Sequence, residues 1–357
     1  MSALENILRA HIKENGAISI ATFMNMALCH PEHGYYTTRD PLGKNGDFIT
    51  APEISQIFGE LLGIWCIGLW RTMGSPDKFN LIELGPGRGT LMADALRAAK
   101  TEEGFSKAVS IHLVENSPVL REKQKESLSK YNPTWYDSVE DVAPGPFIIL
   151  ANEFLDALPI HQFIKQGGAW HERRIGILAD GSLGFFNTKL LKKMEGWIPN
   201  SVQKMEDGTI YEYSPAAVEI AQHVNERLNR HTGAALFIDY GHAQGGAGDS
   251  FQAVYKHHPC PVLSNIGEAD LTAHVNFDML IKAALDATPF FSTQGRFLAR
   301  LGIEMRTDIL AQSNPGDKGE AIREATERLI SKDEMGDLFK VMALVHKSLP
   351  APIGFRS

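Results

Sequence analysis

A chain of 357 residues with a net charge of −8 and a pI near 5.9 has no global positive field to hold nucleic acid or an anionic bilayer. Its three cysteines, Cys29, Cys66 and Cys260, stand far apart without C-x-x-C spacing, which excludes a disulfide framework or a cysteine zinc clamp and points to a reducing compartment. The length suits one embellished α/β core better than two equal domains.

At the start, Leu4, Ile7, Leu8 and Ile12 recur at helical spacing, with neither an apolar signal region nor the arginines of a transit peptide. This pattern predicts a bacterial cytoplasmic setting, or the mitochondrial matrix for a mature eukaryotic form. Residues 1–75 read as helices around a Gly-rich loop, Gly34 to Asp47. Thr50 and Glu53 have the spacing of a capping box, with Pro52 in the first turn, so one helix is predicted from Ala51 to a stop at Gly74. Its apolar stretch, 57–73, contains Glu60 and is too short to span a membrane.

Residues 76–159 alternate in the manner of a doubly wound sheet, with strands at 79–84, 110–115, 134–136 and 147–151 and helices at 88–100 and 118–130. In 160–213 short β-like runs broken by Gly167, Gly168, Asp180 and Gly181 predict an inserted β-rich subdomain. The core pattern returns in 214–357: a helix from Ser214 and Pro215 to Arg230, a strand at 235–239, a long loop at 241–275 and a helix at 276–287. Strands at 289–293 and 338–346 follow, with 313–319 as a flexible loop between them.

The strongest chemical signal is the run Leu81 to Thr90, an apolar strand turning into a helix through Gly85, Pro86, Gly87, Arg88 and Gly89. Glycines there permit positive φ and let a ligand approach where a Cβ would collide. The dinucleotide fingerprint would place its third glycine where Thr90 stands, which favours adenosylmethionine over NAD. About thirty residues on, Glu115 and Asn116 close the second strand, and the Glu115 carboxylate can accept hydrogen bonds from both ribose hydroxyls of an adenosine. Asp137, after the third strand, reads either as an adenine partner or as a solvated turn residue.

The fourth strand ends in Asn152, Glu153, Phe154, Leu155 and Asp156, at the carboxyl edge where open α/β sheets bind ligands. Methyl transfer from a sulfonium demands alignment and a matched field more than a strong base. A guanidinium acceptor adds the need for a carboxylate to orient it and take up its proton, a role that fits Glu153, with Asp156 second. The structural alternatives are a helix cap for Glu153 and an ion pair for Asp156. Tyr240, Asp270, Thr272 and His274 lie after the fifth strand, the usual place for acceptor recognition; His274 also reads as a plain loop histidine. His257, His258 and Cys260 lack metal-ligand spacing, so no metal is expected.

At these residues a resemblance becomes specific. The run from Gly34, Tyr35 and Tyr36 through Gly46, Asp47, Phe48 to Glu53, followed by GPGRGTL, NEFLDALP, IDYGH and GEADLTAHVNF in that order, resembles the MidA-like family of class I methyltransferases. The resemblance implies a Rossmann-like seven-stranded sheet with a helical N-terminal region, and S-adenosylmethionine held by Gly85, Gly87 and Glu115 under a flap that includes Asp47 and Phe48. Asn152 and Glu153 would line the reaction centre. It further implies protein-arginine methylation of a respiratory complex I (NADH:quinone oxidoreductase) core subunit in support of assembly. The pattern departs at Asn276, where an acidic residue is expected; Asn276 reads either as a substrate-facing position or as the cap of the following helix. A non-catalytic cofactor-binding assembly chaperone and a small-molecule methyltransferase share the same residues. The long loop and inserted region offer more surface than a small acceptor needs.

Overall fold

The computed structural model describes residues 2–39 and 50–356. Asp47 and Phe48, placed in the flap by resemblance, lie outside the described residues. The core is a sheet of seven strands: β1 (Phe79–Leu84), β2 (Val109–Val114), β3 (Thr134–Tyr136), β4 (Phe147–Asn152), β5 (Gly233–His242), β6 (Ala287–Thr293) and β7 (Phe339–His346). Their order is β3-β2-β1-β4-β5-β7-β6, with the two-residue strand Val275–Asn276 beside the end of β5. The first five are parallel, and β7 runs antiparallel to both β5 and β6. Strand order reverses between β1 and β4, which opens a crevice at their carboxyl ends.

Alternation along the strands explains the two-faced core. Ile148 and Leu150 of β4 join Leu81, Leu236 and Val341 on one face, against Leu62, Trp65 and Leu91. Ile149 and Ala151 join Ile82, Phe237 and Met342 on the other, against Val224, Leu228 and Phe277. With side chains pointing alternately up and down, both faces must be covered by helices, and the strands read as nearly continuous apolar runs. Against the first face, helices Gln56–Thr72 and Thr90–Ala99 pack so closely that a Cβ on Gly63 would lie 2.4 Å from the Ala95 carbonyl oxygen.

Four expectations need correction. The helix foreseen from Ala51 to Gly74 is broken into Ala51–Ile54 and Gln56–Thr72 by Ser55, which is extended (φ −151°) and caps the second piece through Oγ. The Thr50 side chain makes no cap, and the Glu53 carboxylate turns instead to Thr90 and Arg88. The long loop at 241–275 contains a small sheet, Gln252–Tyr255, His258–Cys260 and Asp270–Thr272. Phe251, Ala253 and Leu271 bury there against the N-terminal helices. The loop at 313–319 shrinks to a turn between helices Ile303–Gln312 and Asp317–Ile330, which with Gln294–Arg300 and Met335–Leu338 fill the connection from β6 to β7.

The segment after β4 folds into strands His161–Gln166, Ala169–Ile177, Leu183–Lys189 and Ile210–Tyr213. A two-residue strand from the beginning of the chain, Ile18–Ser19, pairs with Arg174 and Ile175 and completes this five-stranded sheet. The N-terminal helices Ala3–Asn15 and Ile20–Cys29, capped by Ser2 and Ser19, are thereby fixed over the crevice of the core. Asn276 caps the helix Phe277–Ala283 by accepting the Met279 N–H at 3.3 Å, which resolves its two readings in favour of the cap.

Candidate active site

A cavity of about 640 Å³ opens at the carboxyl edge of β1, β2 and β4, and Tyr36 and Cys29 of the N-terminal region form part of its wall. Its floor is the turn after β1, where Gly85, Gly87 and Gly89 hold φ values of +61°, +56° and +79°. A Cβ on Gly85 would come within 2.7 Å of the Phe154 ring. Gly85, Pro86 and Gly87 line the cavity, whereas Gly89 does not: a Cβ on Gly89 would meet Ser127 Oγ at 2.6 Å, so its bareness serves helix packing.

Glu115 and Asn116 line the same cavity. Glu115 accepts the Ser117 N–H at 2.8 Å and the Gln124 side-chain amide at 3.1 Å, and burial pushes its carboxyl above the ordinary value against those bonds. Gln124 is fully buried; its amide also donates to the Gly87 carbonyl at 2.8 Å, and its oxygen accepts the Trp135 indole N–H. One side chain thus locks the glycine turn to the carboxylate beside it. Asp137 stands at the cavity rim, exposed and paired with Arg121 at 2.6 Å.

Two wall atoms lack partners among the described residues. Glu83, at the end of β1, is 3% exposed, and its Oε2 is buried without a hydrogen bond, as is Asn152 Oδ1. Burying such groups unpaired is costly, so they fit a ligand that brings donors. Glu83 had no sequence signal beyond its place two residues before the first glycine.

The turn after β4 is strained. Glu153 holds φ +50°, rare for a residue with a side chain and sustained only where the surroundings impose it. Its N–H donates to the Ile238 carbonyl at 2.9 Å, and its Oε1 accepts the Ala51 N–H at 2.9 Å and the Asn152 amide at 3.1 Å. Burial pushes the Glu153 carboxyl up to about 7; the Ala51 N–H works against the shift and the charge of Asp156 adds to it. Asp156 does not line the cavity. It is buried behind the turn beside Tyr240, with burial raising it to about 6 and the Tyr240 hydroxyl opposing that rise.

What fixes the turn is Asp239 of β5, a buried residue whose role the sequence did not disclose. It accepts the N–H groups of Leu155 at 3.0 Å, Asp156 at 3.2 Å and Tyr240 at 2.9 Å. Its carboxyl is held well above the ordinary value by burial, then by the charges of Asp156 and Glu153. Asp239→Asn replaces one accepting oxygen by an NH₂ facing a backbone donor. Denaturant unfolding is expected to show a loss of about 1–3 kcal/mol, with weakened S-adenosylhomocysteine affinity by calorimetry; unchanged values in both measurements would remove Asp239 from this role.

The four residues expected to recognise the acceptor do not line the cavity. Asp270 is buried and accepts the Tyr36 hydroxyl at 2.8 Å, so it braces a wall residue from behind. Thr272 is buried next to Gln252. Tyr240 packs edge-on to His274 at 5.4 Å, and His274 donates its backbone N–H to Ser250 Oγ. Among the described residues no group of three His, Cys, Asp or Glu side chains is placed to hold a metal, and no helix is long and apolar enough to cross a membrane.

A family model described as "Putative S-adenosyl-L-methionine-dependent methyltransferase" matches residues 61–294. The chain is 38% identical to protein arginine methyltransferase NDUFAF7, mitochondrial, of Danio rerio, over 95% of this chain and 86% of that protein. It is 36% identical to the Homo sapiens protein of the same name, over 94% and 81% respectively. Among solved structures it is similar to a Burkholderia thailandensis protein bound to S-adenosyl-homocysteine, with a TM-score of 0.84 and 28% identity, covering 99% of this chain and 94% of that one.

Proposed function

Since the chain belongs to the S-adenosylmethionine-dependent methyltransferase family whose model spans residues 61–294, we propose that it methylates an arginine guanidinium of a protein partner. The partner proposed is a core subunit of respiratory complex I, modified in support of its assembly, and the setting proposed is the bacterial cytoplasm. The observation that carries this reading is Glu153, a carboxylate held in a strained turn at the reaction edge of the sheet. The naming of relatives as protein arginine methyltransferases supports it.

The cofactor is S-adenosylmethionine, which supplies an electrophilic methyl group when bound. Gly85 and Gly87 line the space for its body, and Glu115 offers its carboxylate to the ribose hydroxyls. The orphaned Glu83 oxygen suits the ammonium of the amino-acid end, with Asn152 Oδ1 as a further acceptor. Glu153 holds the acceptor cation and takes the proton its nitrogen releases, a task suited to a carboxyl titrating near neutrality. Asp156, Asp239 and Tyr240 act from behind by fixing the turn.

The test is intact-mass analysis of purified complex I core subunits incubated with this protein and S-adenosylmethionine, followed by tandem fragmentation. One methyl increment or more on an arginine is expected. Stable capture of a subunit without any increment would replace the enzyme by an assembly chaperone, and an increment on another residue type would overturn the arginine acceptor.

A further inference from the structure

We propose that Glu53 is a second carboxylate for the acceptor, forming with Glu153 the guanidinium-recognising pair of the cavity. The inference rests on the arginine reading above. A guanidinium is a planar cation with five donors, more than one carboxylate can satisfy, and orienting it requires acceptors on more than one edge. The NEFLD turn offers Asp156 as the nearest second carboxylate in sequence, but Asp156 lies outside the cavity wall, whereas Glu53 is part of it.

The structure ties Glu53 to Glu153 through one short piece of backbone. The Ala51 N–H binds Glu153 Oε1 at 2.9 Å, and Glu53 sits two residues further on in the same turn, Ala51–Ile54. Freed from the capping box its spacing suggested, the Glu53 side chain is 19% exposed. Its Oε1 accepts the Thr90 hydroxyl. Among the described residues its Oε2 accepts no hydrogen bond and meets Arg88 Nη1 at 3.6 Å, an ion-pair distance longer than a hydrogen bond. The carboxylate therefore already sits beside one guanidinium. With Glu83, Glu115 and Asn152 given to the cofactor by that reading, and Asp137 paired with Arg121 at the rim, Glu53 and Glu153 are the wall carboxylates left for the acceptor.

The test uses the full chain saturated with S-adenosylhomocysteine and titrated with N-ethylguanidinium, with ethylammonium as the control cation. The wild type is expected to prefer N-ethylguanidinium. Glu53→Gln is expected to weaken that cation about tenfold with S-adenosylhomocysteine affinity unchanged, and Glu53→Asp to recover part of the loss. Equal guanidinium affinity in Glu53→Gln and wild type overturns the assignment while leaving the arginine reading intact. A parallel fall in S-adenosylhomocysteine affinity also overturns it, since Glu53 would then belong to the cofactor's cradle. A wild type with no preference between the two cations defeats the arginine reading itself, and this inference with it.

Discussion

Gly87→Val is expected to abolish binding of S-adenosylmethionine and S-adenosylhomocysteine. Two effects combine. Gly87 holds φ +56°, where a β-branched residue is strained by on the order of 1–3 kcal/mol, and it lines the cavity floor, where a valine side chain would project into space the ligand needs. The backbone cannot simply rotate away, because the Gly87 carbonyl is held by the buried Gln124 amide. Calorimetry should show an affinity loss beyond about a hundredfold, with far-ultraviolet circular dichroism close to wild type. Comparable affinity in the variant would mean that the nucleoside does not rest on this turn.

Glu153→Gln should separate binding from chemistry. Glutamine is isosteric and can still accept the Ala51 N–H through its oxygen, so cofactor affinity is expected to stay near wild type. A neutral amide neither localises the charge of a cation nor takes up a proton, and turnover should fall by about 10²–10⁴. With the Glu153 carboxyl pushed up to about 7, wild-type kcat/KM should rise with pH through that value and level off, as the ionised form is the one that acts. Equal rates in both proteins would remove Glu153 from the reaction.

The same shift sets how stability depends on pH. The folded protein holds this proton more tightly than the unfolded chain, whose ordinary value is 4.5. Stability from this group is therefore greatest at the acid end and declines as pH rises from about 4.5 through about 7. Asp156, raised from 3.8 to about 6, acts in the same direction over a lower window; Asp239, raised well above its ordinary value, also acts in that direction. The melting temperature of the ligand-free protein is expected to drop by a few degrees between pH 5 and pH 8, and Glu153→Gln should flatten that slope.

The sheet was legible because parallel strands buried on both faces leave apolar runs, as in Phe147–Asn152, bounded by turn residues. The Gly85–Gly89 turn was legible because its positive φ values are a local demand that favours glycine. The helix break at Ser55 was hidden: the apolar pattern runs on through it, and the cause is tertiary, with Ala51 tied to Glu153 and Glu53 to Thr90. The strands near Asp270 were read as loop because two to four residues are too few to show a period. That same shortness concealed how Asp270 and Thr272 serve, behind the wall instead of on it. Asp239 looked like the end of an ordinary strand; its worth lies in three backbone donors, two of them more than eighty positions away in the chain.

The pairing of Ile18 with Ile175 has a kinetic consequence. During synthesis the leading helices remain without their sheet until the ribosome has released the strand Ala169–Ile177, by which time β1 to β4 are already outside the exit tunnel. The wall that carries Tyr36 also waits for Asp270, which accepts the Tyr36 hydroxyl, by which point β5 has emerged too, and closing loops of that span is slow compared with forming the neighbouring hairpins. Newly made chains are therefore expected to present the nucleoside pocket as an open shelf before it becomes a chamber.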